Sequence, residues 1–323
     1  MDSGDLAPTG SVAALRFDDP DHFTHAIRGA SVEYVPLGEG RFNADLTFVT
    51  VDRVRVQRSH IPPTVARGAI DAASAILLFS ITPSLMPVVN GATVDEAHVA
   101  VLPPGSELHA IVRPGLCWAS IALDPETMEE VSEFWDRPVS TCRAASLVGF
   151  GDAAVARLRR AVSAIADLGE ELPHLVQMPE VARAMGKSIV DLVASVRTGS
   201  APENLRYRRT AEVVRVIKAA EDYLIANVSK PIYSDDLCRA LGISLRKLHM
   251  AFVAGAGVSP QAYLKFRRLL LVRRALRSGG VHASLVKSAA LSHGFWHLGN
   301  FARDYRSYFG ESPSETLRRA QRG

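Results

Sequence analysis

The chain has 323 residues, of which 47% are apolar and 22% charged, a composition typical of a globular protein with room for two domains. Its three cysteines are widely spaced, which argues against a disulfide framework or a zinc knuckle and predicts a reducing, cytoplasmic location. The most apolar stretch, residues 70–89, is interrupted by a charged residue and two prolines, so we expect no membrane span.

The net charge of +3 hides a strong asymmetry. Residues 1–203 contain 16 Lys and Arg against 26 Asp and Glu, a net charge of −10, whereas residues 204–323 contain 21 against 8, a net charge of +13. We therefore predict one domain over 1–203 and a second over 204–323. A domain as basic as the second attracts polyanions, although a solubilising surface is the simpler alternative.

The first half is predicted to be rich in strands. Residues 1–22 are polar and contain glycine and proline, which predicts a loose leader. From Ser31 to Leu123, short runs of β-branched residues alternate with turn signals such as Asn90-Gly91. This pattern, with strands over about 31–123, predicts an antiparallel barrel or jelly roll of the cupin-like type.

Helices are predicted over about 125–197, before a linker at 198–204. Two apolar stripes are spaced as on amphipathic helices, one from Val155 to Ile165 and one from Val181 to Val196. Each stripe is either a dimerisation face or a cover for the barrel.

Chemistry-bearing residues in the strand-rich half form no recognisable site. His60, His98 and His109 are separated, and Glu107 with His109 is a lone pair without a second histidine. A nucleophile elbow and a phosphate-cradling glycine loop are also missing from the sequence. We therefore predict no catalytic residue, metal or cofactor. The alternative is a barrel-domain enzyme or ligand-binding protein with an accessory DNA-binding tail.

The basic half is predicted to be helical throughout, with two helix-turn-helix units. In the first, a short helix from Ser234 leads through Gly242 into a helix capped by Ser244. Its apolar residues can pack the two helices together and leave four side chains outward, which are Arg246, Lys247, His249 and Met250. In a helix-turn-helix unit the first helix lies across the DNA backbone, and the second helix enters the major groove.

A second unit follows about 50 residues later. Its first helix begins at Ser284, its turn contains Gly294, and its second helix runs over 296–308. Trp296 is expected to pack, and Phe301 and Tyr305 are expected in the core.

The segment 211–321 resembles the DNA-binding domain of the AraC/XylS family of bacterial transcription regulators. The residues that carry the resemblance are Ser259-Pro260, Tyr263, Arg267-Arg268, Leu276, Gly294-Phe295, Phe301, Arg303, Tyr305, Phe309-Gly310 and Ser312-Pro313. The string GFWHLGNFARDY, followed by FGESPSETL, resembles most closely the ethanolamine-operon activator branch.

The resemblance implies the residues that contact DNA. The base-contacting and cap positions are Ser244, Arg246, Lys247, His249 and Met250 in the first unit and His297, Leu298, Asn300 and Arg303 in the second. The positions assigned to phosphate are Arg267, Arg268, Lys287 and Arg306, with a solvated basic face as the alternative for the two arginines. Leu298 and Gly299 stand where the family has polar residues, so weaker base reading is expected from the second unit.

The predicted protein is thus an α+β regulator, with a β-rich barrel domain with helices and an all-α DNA reader. The resemblance implies duplex DNA, RNA polymerase and a small-molecule effector as partners, homodimerisation, and activation of transcription. We hypothesise that the effector changes how the acidic first domain restrains the basic second domain, onto which it could dock by charge.

Overall fold

The computed structural model describes residues 10–135, 145–196, 205–278 and 284–321. The predicted linker at 198–204 and the predicted boundary at 203/204 lie outside these residues. The described chain consists of a β-rich N-terminal domain with helices followed by an all-helical domain, which confirms the predicted α+β class. Among the described residues, no helix combines the length and the apolar character needed to cross a membrane.

Two antiparallel sheets form the N-terminal domain. The seven-stranded sheet has the order β1-β3-β4-β11-β6-β9-β12, and the five-stranded sheet has the order β2-β5-β10-β7-β8. The sheets enclose a common apolar core. The strands are β1 Gly10–Phe17, β2 Ala30–Pro36, β3 Ala44–Val51, β4 Val54–His60, β5 Thr64–Ile70, β6 Ala75–Ser80, β7 Val88–Val89, β8 Ala92–Thr93, β9 His98–Leu102, β10 Glu107–Val112, β11 Cys117–Leu123 and β12 Ser146–Gly149.

The helices from residue 125 onward lie where helices are predicted, whereas α1 (Pro20–Ala26) is an additional helix that the sequence did not predict. In chain order, the helices are α1 Pro20–Ala26, α2 Pro125–Ser132, α3 Asp152–Glu171, α4 Pro173–Val176, α5 Pro179–Ala194, α6 Leu205–Ala226, α7 Ser234–Leu241, α8 Leu245–Ala256, α9 Pro260–Ser278, α10 Ser284–Ser292, α11 Leu298–Phe309 and α12 Pro313–Ala320.

The prediction of a loose leader is wrong for residues 10–22. β1 pairs with β3 along its whole length, from Gly10 opposite Val51 to Phe17 opposite Ala44. Apolar and polar residues alternate only weakly in β1, so its sequence does not predict a strand. Its hydrogen bonds with β3, which is distant in the sequence, stabilise it. Asp19 then caps α1, because its carboxylate accepts a hydrogen bond from the Asp21 amide at 2.8 Å. β12 likewise extends the strands beyond the predicted limit of residue 123.

The apolar stripe of α3 covers the seven-stranded sheet. Val155, Leu158 and Val162 are fully buried in the core of this domain. A Cβ atom on Gly169 would lie 2.9 Å from Val49 Cγ2, so α3 and β3 are in close contact. The stripe from Val155 to Ile165 is therefore a cover for the barrel within one chain.

The outer face of the five-stranded sheet packs on the helical domain. Val35, Val65 and Ile111 share one apolar core with residues of α6, α8 and α9. Gly91 touches α6 so closely that a Cβ atom would lie 2.4 Å from Ala211 Cα. The two domains are therefore joined through a continuous apolar surface.

Candidate nucleic-acid interface

The first helix-turn-helix unit comprises α7, a tight turn and α8. Gly242 ends α7 in the left-handed conformation, with φ of +65°, which an L side chain adopts only with strain. The Ser244 hydroxyl accepts a hydrogen bond from the Lys247 amide at 3.3 Å and so caps α8. Leu237 and Leu248 are fully buried in the domain core. The local cap and turn signals thus produce the predicted geometry.

The predicted reading face of α8 is open to solvent. Arg246, His249 and Met250 are all exposed, and 59% of the Met250 surface is accessible. Lys247 is also exposed, but its Nζ lies 2.6 Å from Glu212 Oε1 on α6. The hydrogen bond and charge of Lys247 lower the pKa of Glu212. A DNA contact by Lys247 must therefore compete with this ion pair.

The second unit comprises α10, a turn at Gly294 and α11. Gly294 has φ of +81°, and the Phe295 amide donates to the Ala290 carbonyl at 2.9 Å. His297 is the first residue before α11, and its side chain makes no capping hydrogen bond. The start of α11 therefore lacks the side-chain cap that Ser244 gives to α8.

The polar residues of α11 engage each other. Arg303 Nη2 donates to Asn300 Oδ1 at 2.8 Å, and both residues are exposed, as is His297. Leu298 is half-buried and packs against the helical core. Trp296 is 57% exposed, in contrast to the packing expected from the sequence.

The connecting helix α9 turns several of its arginines toward the barrel domain. Arg267 is only 4% exposed and pairs with Glu33 of β2. Arg274 also pairs with Glu33, and its guanidinium lies 2.7 Å from Asp21. Neither a phosphate contact nor a solvated face describes Arg267 in this arrangement, because an acidic partner 234 residues away occupies it.

A buried cluster of acidic and basic side chains continues this contact at the start of α1. Arg273 Nη2 lies 2.8 Å from Asp19 Oδ2 and 3.2 Å from Glu311, and Arg277 lies 2.5 Å from the same Asp19 oxygen. Burial raises the pKa of Asp19, but Arg273 and Arg277 outweigh that effect and the pKa is lowered. Asp19 is therefore held as a charged partner between the domains.

The other predicted phosphate contacts have different surroundings. Arg268 donates to the Lys230 carbonyl at 2.8 Å, and partial burial lowers its pKa. Lys287 and Arg306 are exposed. Of the predicted phosphate positions, these last two present free surface.

Sequence reasoning missed the acidic partners and one exposed apolar position on α8. The run Asp18-Asp19-Pro20-Asp21 is dense in carboxylates, and α9 is dense in arginines, so their complementarity was a usable signal. Val253, seven residues after Arg246, is 47% exposed and lies on the same face of α8. The helical period alone could have identified it.

Comparisons with known proteins agree with this geometry. Residues 237–319 match the model of the family described as "Helix-turn-helix domain". The XylDLEGF operon transcriptional activator of Pseudomonas putida is 29% identical over 153 residues, covering 47% of this chain and 46% of that protein. The XylDLEGF operon transcriptional activator 2 of the same species is 37% identical over 103 residues, covering 32% and 63%.

A solved structure of a probable AraC family transcriptional regulator from Rhodopseudomonas palustris is 42% identical, covering 33% of this chain and 98% of that one, with a TM-score of 0.30. The helical domain belongs to the AraC/XylS family. The chain spans about half the length of the first XylDLEGF operon activator that it matches. These relatives give no support to the narrower ethanolamine-operon branch.

The barrel histidines of this AraC/XylS-type chain are not assembled into a site. His98 Nδ1 lies 2.5 Å from Asp95, His60 is exposed, and His109 is buried on β10. Burial lowers the pKa of His109 to about 4. Within the part of the chain that the structure describes, no three His, Cys, Asp or Glu side chains are placed to hold a metal.

The AraC/XylS-type chain also has a small cavity inside the barrel, with a volume of about 50 Å³. It is mostly apolar, with Tyr34, Trp118 and Gln57 among its lining residues. The Gln57 amide is already bonded, since Nε2 donates to the Arg28 carbonyl at 3.0 Å and Oε1 accepts from the Arg28 amide at 3.1 Å. The cavity therefore offers apolar surface to a ligand.

Proposed function

We propose that this chain is a sequence-specific DNA-binding regulator that activates transcription in the cytoplasm in response to a small molecule. The observation that carries the proposal is the open face of α8, with Arg246, His249 and Met250 exposed on a capped helix after a tight turn. The names of the XylDLEGF operon activators support activation, and with it contact with RNA polymerase.

The experiment that tests this is selection from a pool of random duplexes at two salt concentrations, followed by sequencing. We expect an enriched motif that persists at the higher salt concentration. Phosphate contacts weaken as salt rises, and base contacts add affinity for the specific sequence. Arg246→Ala should lose the motif, whereas Arg16→Ala, which removes an exposed arginine from β1, should keep it. Salt-dependent binding without any enriched sequence would reject the proposal.

The effector is proposed to bind in the barrel cavity. A dry cavity of about 150 Å³ holds benzene, so a space of about 50 Å³ must expand to admit even one aromatic ring. That expansion would move Tyr34 and Ala66, which line the cavity from strands whose opposite faces contact the helical domain. A screen of small aromatic compounds by thermal shift tests this, with Ala110→Leu as the variant whose cavity is partly filled.

The coupling between the domains is proposed to run through the ion pairs of α9. Glu33 and Asp19 hold Arg267 and Arg277, so a displaced barrel would free these guanidinium groups for phosphate. An effector can drive this change only if it binds the two arrangements with different affinity. The interface also has an apolar centre that includes Val65 and Ile111, so salt alone should loosen it only in part.

Glu33→Gln tests the coupling. It leaves Arg267 buried without a charged partner, which weakens docking, and we expect a larger radius of gyration and tighter DNA binding. Asp167→Asn is the control, because it removes a carboxylate from an ion pair with Arg58 inside the N-terminal domain. Unchanged DNA affinity and dimensions in the Glu33 variant would contradict the coupling.

A homodimer is proposed with α5 as its contact. The stripe from Val181 to Val196 buries Ile189 and Val193 in the chain but leaves Val181, Met185 and Leu192 partly accessible. Leu192→Arg should give monomers in sedimentation and weaken binding to DNA with two sites. Unchanged sedimentation would remove this part of the proposal.

A further inference from the structure

The outer face of α8 has an apolar centre. In an α-helix, residues at i, i+4 and i+7 lie on one side, and Arg246, Met250 and Val253 have this spacing. The opposite side of the helix buries Leu248 and Phe252. The accessible fractions are 59% for Met250 and 47% for Val253.

Packing within the chain does not account for these two side chains. Within the residues that the structure describes, neither Met250 nor Val253 belongs to the apolar core of either domain. A solvated face of a helix normally has polar residues there. Arg246 and His249 flank the two apolar side chains, and the capped start of α8 places the whole face outward.

One occupant fits an apolar centre between cationic and polar flanks on a helix that enters the major groove. The floor of that groove presents hydrogen-bonding groups on every base pair, and its one apolar group is the 5-methyl of thymine. The net positive charge of the helical domain attracts the phosphates on either side of the groove. A purely polar reading helix would have no use for Met250 and Val253.

We propose that Met250 and Val253 read thymine by packing on its 5-methyl group, so that the operator carries thymine at adjacent positions under α8. Arg246 then reads a neighbouring base by hydrogen bonding. This inference rests on the proposed DNA-binding function and adds the base class that the first unit selects.

Uracil in place of thymine tests the proposal, because the exchange removes the methyl group and leaves every hydrogen-bonding group of the base. The probe is the operator selected with the full chain, with each thymine replaced in turn by uracil. We expect one or two positions at which binding weakens about fourfold, the effect of losing one buried methyl-sized group.

Variants then assign the contact. Met250→Ala should erase the thymine preference at one position, and Val253→Ala should erase it at the adjacent position, with little change in the affinity for the uracil duplex. Ile225→Ala is the matched control, since Ile225 is also exposed, at 48%, but lies near the end of α6. It should leave both preferences intact.

Each outcome separates this inference from the function on which it rests. An enriched operator that tolerates uracil at every position overturns thymine reading while the regulator function stands. A uracil penalty that persists in both the Met250 and the Val253 variants overturns the assignment to these residues. Failure to enrich any operator overturns both proposals.

Discussion

The two helix-turn-helix units share one plan but present their second helices differently. α8 is capped by Ser244 and leaves a face of charged and apolar side chains open. α11 begins without a side-chain cap, and its Arg303 is bonded to its own Asn300. The two units therefore differ in which side chains they leave available at the positions predicted to read bases.

The second unit is also attached to the barrel at the far end of α11. The Gly40 amide donates to the Ser307 carbonyl at 2.8 Å, and the Tyr308 hydroxyl donates to the Pro36 carbonyl at 2.7 Å. α8 instead contacts the barrel through its buried side, near Gly255 and Ile111. We infer that the first unit reads bases while the second reports the position of the barrel.

Removing one arginine from each unit should give the largest difference between them. Arg246→Ala should weaken operator binding about 10- to 100-fold, the range for a lost base contact, whereas Arg303→Ala should weaken it about threefold or less. The reason is that Asn300 already engages Arg303. Fluorescence anisotropy on the selected operator measures both affinities.

The slope of affinity against salt concentration distinguishes the roles. A base-reading arginine should change affinity with little change in the slope, and a phosphate-contacting residue should reduce the slope by about one. Equal losses for Arg246 and Arg303 would mean that both units read bases alike.

The turns of the two units should respond unequally to one added methyl group. Gly242 has open space around its Cβ position, so Gly242→Ala adds only the strain of the left-handed conformation, about 1 kcal/mol. A Cβ on Gly294 would lie 3.2 Å from both the Val228 carbonyl oxygen and Arg268 Cζ. Gly294→Ala should therefore cost about 2 kcal/mol or more in urea unfolding. Equal free energies of unfolding would show that the second turn is as open as the first.

Local signals in the sequence were enough to predict the second helix of each unit. Ser244 before α8, Gly242 at the turn and the helical period together predict the exposed side of α8, because caps, turns and periodicity act within a few residues. The same period predicts Phe301 and Tyr305 as core, and both are buried.

Long-range partners could not be predicted in the same way. α9 is visibly basic, but its pairing with Glu33 depends on how the barrel sits on it, which local patterns do not specify. The edge strand from Gly10 to Phe17 was missed for the same reason, since its ladder with β3 supplies what its own sequence lacks. The apolar period of α3 fits both a dimerisation face and a cover for the barrel. Only the position of the sheet beneath α3 decides between them.

The smallest change tests whether the second unit reports on the barrel. Tyr308→Phe deletes the hydrogen bond to Pro36, and Tyr305→Phe deletes one of similar length, 2.8 Å, to Thr316 within the helical domain. Both tyrosines are buried on α11, so each variant should lose about 1 kcal/mol of stability. Only Tyr308→Phe should speed amide hydrogen exchange in residues 37–41, because only that bond crosses to the barrel. The same exchange rates in both variants would mean that α11 is held by apolar packing alone, and the second unit would then be a weaker copy of the first with no separate part in coupling the domains.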